Sequence, residues 1–255
     1  MEHLEGRQSV LAALQARQRR IDVILLRHGL HVDAAPLREL LALAESLGVP
    51  VRHVDSRELD AMTHGASHGG VVAVASPKPR TSFESLLKLI EPVAAPLLLL
   101  LEGVDDARNL GFTLRTAEAA GAHAVLVKKH LWDFDAVEVA RPSSGAYERL
   151  PLVQVDRIEP LAALQKRGIR ILGCLAGVRR SVFRTDLTGG VLLCVGGEKR
   201  GLSSAVRAIC DRFVTIPTIG GPTSLSLSHA SAILLGEALR QRVRAATDPA
   251  APKPA

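Results

Sequence analysis

The chain has 255 residues, of which 47% are hydrophobic but only 3% aromatic, and it carries a formal net charge of +6. This length can bury sizeable cores in two domains, and the scarcity of aromatics leaves Leu, Val, Ile and Ala to build them, as suits helices covering a parallel sheet. A basic balance permits a polyanionic partner without requiring one, while the lack of any bilayer-length apolar run and the charged start MEHLEGRQ exclude a membrane span and a secretory signal, so a cytoplasmic protein is expected.

In chain order, helical spacing over 7–18 leads to the strand-like IDVILL (21–26), a helix over 36–47, the strand VPVRHV (49–54), a short helix over 56–62 and the strand GGVVAVA (69–75). Residues 1–76 thus form a small α/β domain, and SPKPRTS opens a linker over 77–95. The apolar run PLLLLLEG (96–103) is expected to be a strand buried on both faces. A helix over 109–120, the strand HAVLV, a polar excursion over 132–145 and the strand PLVQV come next. The helix 160–167, the strands IRILGCL and VLLCV, the helix 203–210, the strand FVTIP and a long helix over 225–244 complete a domain of residues 96–244. Such alternation predicts a parallel sheet covered by helices. Residues 245–255, AATDPAAPKPA, are expected to be a disordered tail.

Cys174, Cys194 and Cys210 are widely spaced in apolar surroundings and are expected to be small buried hydrophobes. No His or Cys set has the close spacing that zinc needs, so no metal is expected. Basic residues cluster at Arg17, Arg19 and Arg20, at Arg179, Arg180 and Arg184, and at Lys199 and Arg200, each more simply a solvated face than a binding patch when taken alone.

Three segments come after apolar strands with little side-chain bulk: DDARNLGFTLRTAEAAG, VGGEKRGLS and IPTIGGPTSLSLSHASAILL. At the carboxyl ends of parallel strands, such loops let backbone groups reach a ligand. A P-loop is excluded because Gly201 is followed by Leu202 and Ser203, and no GxGxxG follows the first strand of the second domain.

Together the segments resemble the motifs of the SpoU (TrmH-like) family of RNA 2′-O-ribose methyltransferases, of the SPOUT class. NLGFTLRTA (109–117) resembles its first motif, GGEKRGLS its second and IPTIGGPTSLSLSHASAI its third, while SSGAYERLP (143–151) resembles a segment the family carries between the first two. The N-terminal LEGRQSVLAAL and SHGGVVAVA resemble the start and end of its small substrate-binding domain. The resemblance implies a catalytic domain with a parallel sheet and a deep trefoil knot, a ribosomal-protein-L30e-like N-terminal domain, S-adenosylmethionine as cofactor, and a homodimer. The implied reaction is methyl transfer to a ribose 2′-hydroxyl in ribosomal RNA, with transfer RNA second. A knotted RNA-binding protein that has lost catalysis is the alternative, and an NAD-dependent α/β dehydrogenase is a third.

For the site, the resemblance implies catalytic roles for Arg115, Asn109, Glu198 and Ser226. Arg115 would hold the ribose-phosphate and stabilise a developing alkoxide, or act as base; Asn109 would cap its helix; Glu198 would orient Arg115 or a basic neighbour. The cofactor would be bound by Val195, Gly196, Gly197, Gly201, Ile216, Pro217, Leu225 and Ser226, with the glycines letting backbone close around it. RNA would be gripped by Arg7, Arg17, Arg19, Arg20, Lys199 and Arg200. Two departures stand out: Ser226 takes the place of the family's usual Asn, and Asp106-Ala107 replaces Asp-Pro.

Overall fold

The computed structural model describes residues 1–31, 35–64, 68–128, 134–220 and 225–248. The chain divides into two compact units, Met1–Pro79 with Asp135–Arg149, and Arg80–Phe134 with Leu150–Ala255.

The first unit is built on β1 (Glu2–Glu5), β2 (Ile21–Arg27), β3 (Val51–Val54) and β4 (Val71–Ala75), in the order β1-β4-β2-β3. β4 runs antiparallel to β1 and β2, and β3 runs parallel to β2. Period-two alternation sorts the side chains: Ile24, Leu26, Val71 and Ala73 join one core, and Leu25 and Val72 another. α1 (Arg7–Ala16) and α2 (Ala35–Ser46) close the first core with Val10, Leu14, Leu37 and Leu40, and α3 (Ser56–Met62) supplies Leu59 to the second.

The second unit is a six-stranded, wholly parallel sheet of β5 (Leu97–Glu102), β6 (Ala124–Lys128), β7 (Leu152–Gln154), β8 (Arg170–Cys174), β9 (Val191–Gly196) and β10 (Arg212–Val214), in the order β10-β8-β9-β5-β6-β7. The five leucines of β5 have no exposed surface, as expected for a central strand between β9 and β6. Leu98, Leu100, Leu126, Leu192 and Cys194 face one core. α5 (Ala107–Ala119) packs against α10 (Leu227–Thr247).

Five segments differ from expectation. The first strand, β1, lies in a charged start that periodicity did not mark. The stretch 77–95 contains α4 (Phe83–Ile90), started by the Ser82 cap and held by Leu86 and Ile90 in the second unit's core. The polar excursion contains α6 (Ala136–Ser143), and α7 (Ala146–Arg149) comes directly after it; both belong to the first unit although their sequence lies inside the second. The helix expected over 160–167 is a 3-10 turn at Glu159–Leu161 followed by α8 (Ala162–Gln165), and α10 extends to Thr247, into the expected tail. The tail beyond Asp248 lies outside the described residues. No described helix is long and apolar enough to cross a membrane.

Candidate active site

From β5 the chain steps to β6 and β7 on one side, then crosses to build β8, β9 and β10 on the other. The winding reverses beside β5 and β9, and in parallel sheets ligands sit beyond the carboxyl ends of strands at such a reversal. The two loops there touch: a Cβ on Gly197 would fall 2.1 Å from the carbonyl oxygen of Gly103. Polar contacts tie them further. Glu102, ending β5, accepts the Ser203 N–H at 2.7 Å and the Lys128 ammonium at 2.5 Å, and Lys128 also donates to Ser203 Oγ at 3.1 Å. Burial pushes the Glu102 carboxyl up, but the hydrogen bonds from Lys128 and Ser203 together outweigh it and hold its pKa below the ordinary value. The Ser203 hydroxyl in turn caps α9 (Ser204–Ile209), accepting from the Val206 N–H.

The glycine loop divides its labour differently from the sequence expectation. A Cβ on Gly196 would lie 2.1 Å from the carbonyl carbon of Gly201 and 2.4 Å from the Leu202 nitrogen, so Gly196 and Gly197 are glycine because protein backbone fills their space. The loop folds on itself through an antiparallel bridge, with the Gly201 N–H donating to the Gly197 carbonyl at 2.8 Å. Gly201 has φ of +59°, and a Cβ there would meet nothing nearer than Arg207 at 4.0 Å. The triplet Glu198, Lys199 and Arg200 is exposed at the loop's tip, where Lys199 lies 3.5 Å from Asp105.

The first and third motifs meet at the starts of α5 and α10. The Ser228 hydroxyl donates to Asn109 Oδ1 at 2.9 Å. Asn109 is not the cap it was expected to be. Asp106 caps α5, accepting the N–H groups of Arg108 and Asn109, because the helix starts at Ala107 and puts Asn109 inside its first turn. The Asn109 amide is thereby left to join the two helices. Ser226 caps α10, accepting the His229 N–H at 3.3 Å and sharing a hydrogen bond with the Ser228 hydroxyl at 3.0 Å. Serine and asparagine are equivalent caps, so the departure from the family's Asn keeps the start of α10. Ser224, of the same motif, lies outside the described residues. Arg115 is exposed one turn along α5 from Phe112, itself half exposed, and among the described residues neither Arg115 nor Glu198 has an ion-pair partner.

These residues suit a nucleoside-type cofactor. Half-buried Ile216 and exposed Pro217 and Leu225 give apolar surface just beyond β10 and before α10, Gly201 leaves backbone open, and Ser226 offers a hydroxyl. Among the described residues no group of His, Cys, Asp or Glu has the arrangement of a metal site.

In the first unit Arg7, Arg17 and Arg20 are exposed, with Arg20 paired to Asp22 at 2.7 Å. Arg19 corrects the expectation of an RNA contact. Its side chain is 1% exposed and its donors are occupied: Nε and Nη2 bind the two Glu148 oxygens at 3.0 and 2.8 Å, and Nη1 binds Glu2 at 2.7 Å and the Ser76 carbonyl at 3.0 Å. Lys78 donates to the Glu148 carbonyl at 3.1 Å and sits over the Tyr147 ring. Burial pushes the Glu148 carboxyl up, with Arg19 and Lys78 pulling against it, and pushes the Lys78 ammonium down to about 8. The SSGAYERLP segment therefore contributes buried structure to this unit: Ser143 caps the turn to Tyr147, and Glu148 anchors Arg19.

Comparison with known proteins agrees with this geometry. Residues 96–236 match the SpoU rRNA Methylase family, and residues 3–81 match a family described as RNA 2′-O ribose methyltransferase substrate binding. The chain is 38% identical over 244 residues to the 23S rRNA (guanosine-2′-O-)-methyltransferase RlmB of Pseudomonas putida, covering 95% of this chain and 97% of the relative. It is 33% identical over 242 residues to the enzyme of the same description from Escherichia coli, covering 94% and 99%. Among solved structures it resembles the SpoU methyltransferase AviRb from Streptomyces viridochromogenes in complex with AdoMet, with a TM-score of 0.77, 28% identity, and 94% and 90% of the two chains covered.

Proposed function

Because the chain belongs to the SpoU family of RNA 2′-O-ribose methyltransferases, we propose that it methylates the ribose 2′-hydroxyl of a guanosine in 23S ribosomal RNA, in the cytoplasm and as a homodimer. The observation that carries this reading is the joining of the three motif loops at the carboxyl edge of the sheet: the Gly103–Gly197 contact unites the first and second, and the Ser228–Asn109 bond the first and third.

S-adenosylmethionine supplies a methyl group made electrophilic by its sulfonium. Val195–Gly197, Gly201, Ile216, Pro217, Leu225 and Ser226 are the residues that would hold it, mainly through backbone groups. The chain's own residues must fix the acceptor oxygen and manage its proton. Arg115, exposed and without an ion-pair partner among the described residues, keeps its guanidinium free for the RNA phosphate and for negative charge developing on the 2′-oxygen. A guanidinium is protonated at neutral pH, which favours this role over that of base. Asn109 and Ser228 hold α5 against α10 and so set where Arg115 stands; Glu102, Lys128 and Ser203 hold the glycine loop against the first motif. Glu198, Lys199 and Arg200 at the loop tip, with Arg7, Arg17 and Arg20, present charge to the RNA.

The homodimer is supported by apolar side chains left open on the second unit: Phe112 on α5, and Leu239 and Val243 one turn apart on α10. The family's deep trefoil knot belongs to the same reading. The test is transfer of labelled methyl from S-adenosylmethionine to ribosomal RNA lacking the modification. Transfer by the wild type and its loss in Arg115→Ala, with the fold and cofactor affinity retained, supports the assignment; full activity in Arg115→Ala overturns the role of Arg115.

A further inference from the structure

The segment after β8 carries the cluster Arg179, Arg180 and Arg184, which the catalytic assignment leaves without a task. It is not a loose loop. The Leu175 N–H donates to the Val214 carbonyl, the Thr215 N–H to the Arg180 carbonyl and the Val182 N–H to the Thr215 carbonyl, extending the pairing of β8 with β10. Ser181 then caps a 3-10 turn, Val182–Arg184, in which Val182 is fully buried. Gln241 of α10 clamps the residues just beyond the turn, donating to the Thr185 carbonyl at 2.9 Å and accepting the Leu187 N–H at 2.8 Å. The turn is thus held on both sides while its cationic side chains stay exposed.

Arg179, Arg180, Ser181, Phe183, Arg184 and Pro217 line an open cleft of about 720 Å³. It contains no acidic residue, and among the described residues none of the three arginines has an ion-pair partner. Phe183 is 47% exposed, an uncommon placement for an aromatic in a chain with so few. The charge argues against the cofactor as occupant. S-adenosylmethionine carries a sulfonium, an ammonium and one carboxylate, a net cation that three unpaired guanidiniums repel. A polyanion is attracted, and guanidiniums bind phosphate oxygens in pairs. A half-open aromatic ring beside them offers a face for an unpaired base. The cleft shares with the cofactor site only Pro217, just past β10, and so opens at the carboxyl edge of the sheet, beside the active-site loops.

We propose that this cleft docks single-stranded RNA flanking the target nucleotide, with the three arginines on successive phosphates and an unstacked base against Phe183. The proposal rests on the RNA methyltransferase reading for its choice of polyanion. Its test is binding of a fluorescein-labelled RNA oligonucleotide of about a dozen nucleotides, titrated at several salt concentrations, with S-adenosylmethionine affinity measured separately by calorimetry. The triple variant Arg179→Ala, Arg180→Ala, Arg184→Ala should bind more weakly, with a log–log salt slope shallower by about 2, from roughly 0.7 per lost contact to a single strand. The triple Arg→Lys variant should keep the slope, which separates lost charge from a packing defect. Phe183→Ala should weaken binding by about 5- to 150-fold with the slope unchanged, as for one lost base stack. Cofactor affinity should be unchanged in all of them. Wild-type slope and affinity in the triple Ala variant, or a parallel loss of cofactor affinity, overturns the proposal. A wild type that binds the oligonucleotide through this cleft yet methylates no ribosomal RNA would fail the enzymatic reading and leave the docking assignment supported.

Discussion

Arg19→Ala separates a structural arginine from an RNA-binding one. In the fold its guanidinium makes two hydrogen bonds to Glu148, whose side chain is 2% exposed, and one each to Glu2 and the Ser76 carbonyl. Truncation leaves a buried carboxylate that burial already pushes toward protonation, with Lys78 as its remaining cationic neighbour. Breaking a buried pair by removing one partner costs about 3–5 kcal/mol, whereas an exposed arginine away from such features costs within about 0.5 kcal/mol. With a urea dependence of about 2 kcal/mol per molar, the midpoint of the first unit's unfolding should fall by roughly 1.5–2.5 M. The double variant Arg19→Met, Glu148→Leu should recover most of the loss, because an apolar pair of similar volume needs no desolvation. The assay is urea unfolding of the full chain monitored by far-UV circular dichroism, with RNA affinity measured in parallel. An unchanged midpoint with weakened RNA binding would refute the structural role and return Arg19 to the RNA surface.

The same geometry sets other outcomes. Gly196→Ala should abolish cofactor binding measured by calorimetry, because its Cβ would fall 2.1 Å from backbone, whereas Gly201→Ala should cost only about 1–2 kcal/mol of stability in thermal unfolding for its left-handed φ. Ser226→Ala should cost about 1 kcal/mol through loss of the α10 cap, and Ser226→Asn should be within a few tenths of wild type; a large loss in the Asn variant would show that the hydroxyl does more than cap. Lys78 sets a pH dependence. Between about pH 8 and 10.5 the unfolded chain holds a proton on Lys78 that the folded chain has released, so stability rises with pH across that window. The rise is worth about 3 kcal/mol, and Lys78→Met should flatten it in urea midpoints compared between pH 7.5 and 10.

Much of this was legible because local pattern and tertiary role coincided. The apolar run at β5 could only be a central strand, and the glycines of VGGEKRGLS marked a backbone approach that the structure shows, although the approach is of loop to loop. Asn109 and Ser226 were singled out in motifs, and their bonding through Ser228 is a contact 119 residues apart in sequence that spacing cannot reveal. The same limit hid Glu102 and Lys128, each a single charge ending an apolar strand and meeting Ser203 only through sheet order. Arg19 misled because three arginines in four positions look like a patch, while the carboxylate that buries one of them lies 129 residues away. The segment Asp135–Arg149 reads as polar loop for a related reason: its charged Glu148 is satisfied inside the first unit, which local hydropathy does not register.

The chemical position of the transferred methyl group separates ribose methylation from methylation of a base. Ribosomal RNA lacking the modification, incubated with the protein and methyl-labelled S-adenosylmethionine, is hydrolysed in alkali, which cleaves only where a free 2′-hydroxyl can attack the neighbouring phosphate. A 2′-O-methylated guanosine should leave the label in an alkali-resistant dinucleotide that begins with guanosine. Label in mononucleotides, as base methylation gives, or no label from a protein that still binds the cofactor, would contradict guanosine 2′-O-methylation.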